Sequence, residues 1–192
     1  MTDAPATAAS GTRSSAAFYA DSLDAFLRAP DDLVYAPLTS PRGYTLAPEQ
    51  LSAWRLQLPI LRAALAEVAS RFSAESADAA AAGDPAAPAP WLHLEFDIPR
   101  LGRRVDAVLV TSTAVLPIEF KVGAKKFNQL DYEQAWDFRL DLKNFHAPSH
   151  AAAIFPILCA TEAPAGDRRW KPPHADGVRR PFCCSGESLG RA

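Results

Sequence analysis

The sequence predicts an α/β fold in which one mixed sheet is flanked by helices. Three observations carry this expectation. An amphipathic helical stretch covers 49–72, three short strand-like segments follow between 91 and 122, and a second helical stretch over 127–145 leads into a short apolar run. The order is helix, three strands, helix, strand.

Each element has its own signal. Phe18, Leu23, Phe26 and Leu27 recur near helical spacing, with Ser14 or Ser15 as candidate caps and Pro30 as terminator, which predicts a short opening helix. After a turn-rich stretch over 36–48, Leu51, Trp54, Leu58, Leu61, Leu65 and Val68 fall three and four apart on one helix face, with Pro59 a candidate kink. From Trp91 the period changes. Leu92, Leu94, Phe96 and Ile98 alternate with His93, Glu95 and Asp97, as in a half-buried strand. Turn residues at Pro99–Gly102 separate it from strands over 104–110 and 115–122, giving a three-stranded antiparallel meander. Leu130, Gln134, Phe138 and Leu142 then sit at helical spacing, and the apolar 153–160 suits one further, buried strand.

Composition sets the expected domain limits. Ala, Pro, Ser, Thr and Gly crowd into 1–17, 74–90 and 163–192, where few large apolar side chains offset the entropy of ordering. These stretches are expected to be a disordered N-terminal tail, a flexible insertion and a disordered C-terminal tail around a domain over 18–162. An apolar content of 48% suffices for its core. The net charge of −2 advertises no global positive field, so a nucleic-acid partner must be held by local geometry and metal ions. Cys159, Cys183 and Cys184 are an odd set without CxxC spacing, which fits neither a disulfide framework nor a zinc site and points to a reducing cytoplasm. No signal-peptide-like run or membrane-length apolar segment occurs, so a soluble intracellular chain with no membrane partner is expected.

The chemistry sits in the meander. If its second and third strands fold back around Ser112-Thr113, Asp106 lies directly opposite Glu119. Facing carboxylates destabilise a sheet unless something compensates. Hard oxygen ligands suit a divalent cation such as Mg²⁺ (or Mn²⁺), which keeps waters of its own. Lys121, two residues past Glu119, shares its face and could orient or help deprotonate an attacking water, or stabilise charge developing on a phosphate. A similar count around the preceding turn pairs Glu95 with Asp106, so Glu95 is the candidate third metal ligand.

Asp106, twelve intervening residues and then Glu119-Phe120-Lys121 resemble the signature of the PD-(D/E)xK nuclease superfamily, with Val105 where Pro is usual. The phrases LEFDIPRLGRRVDAVLV, IEFKVG, DLKNFHAPSH and PILCATEAP resemble, more specifically, the amino-terminal nuclease-like region of bacterial proteins that continue into a Schlafen-like, superfamily 1-type helicase domain. The resemblance implies a restriction-endonuclease-like core and a metal-dependent nuclease, acting on DNA and associated with a helicase domain or subunit. It also implies that Gln134, followed four residues later by Phe138 where Tyr is usual, lies beside the reaction centre; helix spacing puts both on one face. No GxxxxGK[ST] phosphate loop occurs, so the helicase ATP site is not in this chain, and 167–192 reads as a departure from the family pattern such as truncation or a frameshift would give.

Each assignment competes with a plainer one. Alternating Asp, Glu and Lys are ordinarily the solvated face of a sheet, and only the resemblance turns the balance toward a metal site. Lys125, Lys126 and Arg104 are candidate phosphate contacts, though a Lys pair is usually solvated surface. His146 and His150 have a zinc-like spacing, but Pro148 between them argues against it. Trp54, Trp91, Trp136 and Phe145 are read as core rather than base-stacking residues, and Cys183-Cys184 as an inert pair in the tail. The rival function is a degenerate nuclease fold that binds nucleic acid, or docks a helicase partner, without cutting.

Overall fold

The computed structural model describes residues 16–39, 48–82, 87–98, 102–166, 169–173 and 179–192. Along them run β1 (Ala17–Ser22), α1 (Leu23–Arg28), α2 (Asp31–Thr39), α3 (Pro48–Ala82), β2 (Trp91–Ile98), β3 (Arg103–Val110), β4 (Ala114–Lys121), α4 (Gln129–Phe145), β5 (Ala153–Ile154), β6 (Ile157–Ala160) and β7 (Phe182–Cys184). The strands form one mixed seven-stranded sheet in the order β1-β2-β3-β4-β6-β7, with β5 also on β4. Helices cover both faces: Trp54, Leu58, Leu61 and Leu65 of α3 pack with Ile118 and Phe120, whereas Phe138 and Leu142 of α4 pack with Val108 and Val115.

The meander has the register expected from its turns. β3 and β4 pair antiparallel from Val110↔Val115 to Ala107↔Ile118, and β2 pairs with β3 from Trp91↔Val110 to Ile98↔Arg103. From β4 the chain crosses by α4 and returns parallel as β6, with Glu119 beside Leu158 and Lys121 beside Ala160. The sheet is larger than a meander plus one strand, and each extra piece has a physical reason.

The opening segment is a strand before it is a helix. Ala17–Ser22 pairs antiparallel with β2, from Ala17↔Phe96 to Ser22↔Trp91, and so covers an edge that would otherwise offer unpaired backbone groups. Ser22, not Ser14 or Ser15, caps α1, its Oγ accepting from the Ala25 N–H at 3.2 Å. The helix stops at Arg28 with Ala29 extended before Pro30, the expected terminator, and Arg62 reaches across from α3 to donate to the carbonyls of Phe26 and Ala29, both at 2.6 Å. Of the expected N-terminal tail, 1–15 lie outside the described residues, but Ala17 is buried in the sheet.

The expected C-terminal tail is also corrected. β7 pairs parallel with β6, Ile157 facing Phe182 and Cys159 facing Cys184, and all three residues of β7 are buried. A 3-10 helix over Gly186–Arg191 then packs on α3 so closely that a Cβ on Gly190 would meet Glu67 Oε2 at 2.6 Å and the Ala64 carbonyl at 3.0 Å. β6 is buried along its whole length and needs a partner on its outer edge. A three-residue strand is too short to announce itself by periodicity.

Two further boundaries moved. The 153–160 run splits into β5 and β6 around Pro156, which has no N–H to give the ladder. The expected insertion at 74–90 begins as the last turns of α3, as its Ala-rich composition favours, and 87–90 return exposed or nearly so to β2.

Simple alternation fails at one place. Leu92 and Leu94 pack with α3, but Phe96 and Ile98 pack on the opposite face with α4, and in β3 Ala107 and Leu109 separate from Val105 in the same way. The β2–β3 register is unbroken across the change, running from Leu94↔Ala107 to Phe96↔Val105. Both strands therefore exchange faces at one level, between these pairs. Glu95 and Asp106 occupy that level, and Glu95 has φ +50°, a left-handed conformation that costs a non-glycine residue about 1–3 kcal/mol.

Candidate active site

The ladder between β3 and β4 gives way to a side chain where the carboxylates gather. Beyond the Ala107↔Ile118 pair, Asp106 Oδ2 accepts the backbone N–H of Phe120 at 2.8 Å. Glu119, on the neighbouring strand, is 5% exposed. Its Oε1 accepts from Lys121 Nζ at 2.9 Å and from Gln134 Nε2 at 2.8 Å. Lys121 Nζ also donates to Gln134 Oε1 at 2.9 Å, so the three side chains close a triangle. The Gln134 amide uses its oxygen and its nitrogen on opposite partners, which fixes its orientation.

α4 supplies a further member. Asp131, in its first turn, brings Oδ1 to 3.5 Å from Lys121 Nζ. Sequence reasoning passed over Asp131, although it lies three residues before Gln134 and hence on the same helix face. Of the residues expected at helical spacing along α4, Phe138 and Leu142 are buried in the core, whereas Leu130 is 78% exposed.

Electrostatics follow from crowding. Burial first, and then the charge of Glu119, push the Asp106 carboxyl well above the usual carboxylate range, against the pull of the Phe120 N–H; Glu95 adds to the rise. Burial raises Glu119 too, opposed by Lys121. At Lys121 burial favours the neutral amine, but the hydrogen bond and charge of Glu119, with Asp131 and Asp106 behind them, outweigh it and raise its pKa. Lys121 is thus an ammonium at neutral pH.

Glu95 borders this group without joining it. Its Oε1 accepts from the indole N–H of Trp54 at 2.7 Å, and Oε2 lies 3.4 Å from Arg104 and 3.5 Å from Gln50 Nε2. Burial raises its pKa, with the Trp54 hydrogen bond opposing. Arg104 is engaged inward, on Glu95 and over the ring of Phe18 at 4.9 Å. Lys125 and Lys126 are exposed in the loop between β4 and α4, Lys125 4.0 Å from Glu162. Trp54 is core, as expected, but Trp91 and Phe145 are 47% and 52% exposed. Cys183 and Cys184 are buried in β7 rather than held in a tail.

Asp106 and Glu119 carry hard oxygen donors of the kind a divalent cation takes. Two carboxylates with raised pKa values lie near enough for the charge of Glu119 to act on Asp106, and Glu119 Oε2 accepts no hydrogen bond among the described residues. Among the described residues no three His, Cys, Asp or Glu side chains form a ready-made metal cage, so any remaining ligands would be waters or substrate oxygens. No family model, curated protein or solved structure matches this chain. The geometry therefore carries the functional argument, and among the described residues no helix is long and apolar enough to cross a membrane.

Proposed function

We propose that this chain is a metal-dependent nuclease with a restriction-endonuclease-like core, of the helicase-associated PD-(D/E)xK kind that its sequence resembles, and that it hydrolyses phosphodiester bonds in DNA. One observation carries the reading. Glu119, Lys121 and Gln134 close a hydrogen-bonded triangle between β4 and α4, and Asp106 of β3, held by the Phe120 backbone N–H, is near enough for the charges of Glu119 and Lys121 to act on it.

Asp106 and Glu119 would hold Mg²⁺ or Mn²⁺, which when bound supplies Lewis acidity toward a phosphate oxygen and activates water. The protein's own groups do the rest. The Phe120 N–H fixes Asp106, and Gln134 fixes both Glu119 and Lys121. Lys121 stands beside Glu119, where its ammonium can orient the attacking water or meet charge developing on the phosphate. Lys125 and Lys126 lie one loop away as phosphate contacts; Arg104 is spent on Glu95 and is a weaker candidate for that role. Glu95 supports the site from beneath, bound to Trp54.

A second reading, a nuclease-fold module that binds nucleic acid or docks a helicase partner without cutting, is favoured by the hold that Lys121 and Gln134 already have on Glu119. Incubating the purified full chain with linear DNA, circular DNA and RNA, in Mg²⁺, in Mn²⁺ and in EDTA, separates the two. The nuclease reading expects cleavage of DNA that EDTA and Asp106→Asn both abolish. Binding without cleavage in either metal would establish the module instead.

A further inference from the structure

We propose that Asp131 is the positioning residue that keeps the Lys121 ammonium in place; the inference rests on the nuclease reading of Lys121 given above. The Lys121 ammonium donates to Glu119 Oε1 and to Gln134 Oε1, both at 2.9 Å, and forms an ion pair with Asp131 Oδ1 at 3.5 Å. The three are not equivalent. Glu119 belongs to the carboxylate pair that fits a cation, and a cation there competes with Lys121 for it. Gln134 is neutral. Asp131 is the carboxylate in contact with Lys121 that stands outside the Asp106–Glu119 pair, so it is the negative charge that holds the lysine when Glu119 is engaged.

The setting of Asp131 suits this work. It sits in the first turn of α4, where a negative charge is favourable, and Asn128 Nδ2 donates to its Oδ2 at 3.2 Å. With one oxygen tied to the helix start, the other is directed at Nζ. Both Lys121 and Asp131 retain some exposure, 24% and 20% of their side chains, so the contact lies at the mouth of the site rather than in the core. A purely structural Asp131 would need only the Asn128 contact and the helix N-terminus.

Asp131→Asn and Asp131→Glu, each made in the wild-type chain and in Lys121→Met, test the inference. In single-turnover DNA cleavage with Mg²⁺, Asp131→Asn should slow the rate about 10- to 100-fold, the scale of a misplaced reacting group, without weakening DNA binding. Asp131→Glu should recover part of the loss, and in Lys121→Met the Asn substitution should do nothing further. In Mg²⁺-loaded protein without DNA, NMR of the Lys121 side-chain ammonium should report a marked loss of order in Asp131→Asn. Unchanged rate and unchanged ammonium order would overturn the proposal, as would an equal slowing in the Lys121→Met background. If the wild-type chain cleaves nothing, the nuclease reading fails, and the ammonium measurement alone decides whether Asp131 holds Lys121.

Discussion

The Phe120 backbone N–H, at the point where β3 and β4 stop pairing, is accepted by Asp106 Oδ2 at 2.8 Å. One carboxylate thus closes the sheet and helps form the site. Asp106→Asn keeps an acceptor for that N–H and removes a charge that interacts unfavourably with Glu119, so in EDTA it should be as stable as wild type or more so. Asp106→Ala removes the acceptor and should cost about 1–3 kcal/mol. Urea denaturation of both variants in EDTA checks this, and equal losses in the two would mean that the hydrogen bond is not what matters.

Trp54 and Glu95 make the corresponding contact between α3 and the sheet, at 2.7 Å, at the residue with φ +50°. Trp54→Phe preserves most of the apolar contact but takes the indole donor from a buried carboxylate. A loss of about 1.5–3 kcal/mol is expected, the scale of a hydrogen bond to a charged group. Thermal and urea unfolding provide the measurement; a change below half a kilocalorie would show that Arg104 and Gln50 suffice for Glu95.

Removing 182–192 should not be tolerated. The deletion uncovers β6, where Leu158 and Cys159 are fully buried, and strips away Phe182 and Leu189. Each of the two large side chains contributes about 1.5–3 kcal/mol by burial, and the bared edge is a template for aggregation. Expression of chains ending at 181 should give insoluble or molten protein. A soluble, cooperatively unfolding product would restore the tail reading.

Acid should weaken the α4 face of the sheet. His93 and His146 flank Phe96, with ring centroids 5.9 and 5.6 Å away. Burial, then the charge of His146, lowers the pKa of His93; burial, then His150, lowers that of His146. Folded values below the unfolded value of about 6.5 mean that the unfolded chain binds protons first as pH falls. The contribution of the pair is present at neutral pH and is lost as pH drops from the unfolded value through the folded ones. Glu95, Asp106 and Glu119 act in the opposite sense, because their raised pKa values let the folded state gain protons first. The readout is therefore a difference: the stability change between pH 7.5 and pH 5 should become less unfavourable in His93→Gln than in wild type. Identical pH dependence in the two proteins would exclude His93 as the source.

Much of this protein is local and was legible in its sequence. The face of α3 and the meander with its register follow from side-chain period and turn chemistry, which are properties of adjacent residues. Lys121 shares the face of Glu119 because a strand has period two. What only the tertiary structure decided involves partners distant in sequence. Ala17–Ser22 becomes a strand because β2 offers an edge, and Phe182–Cys184 because β6 does; the first does not alternate over its six residues, and the second is only three residues long. Glu95 resembles a solvent-facing strand residue until Trp54 arrives from α3 and both central strands exchange faces at its level. Asp131 becomes part of the site only when α4 crosses back over β4. Period and turns are encoded over a few residues, whereas edge pairing, face exchange and the Asp131 ion pair with Lys121 are chosen by the free energy of burying surfaces that the chain brings together from far apart.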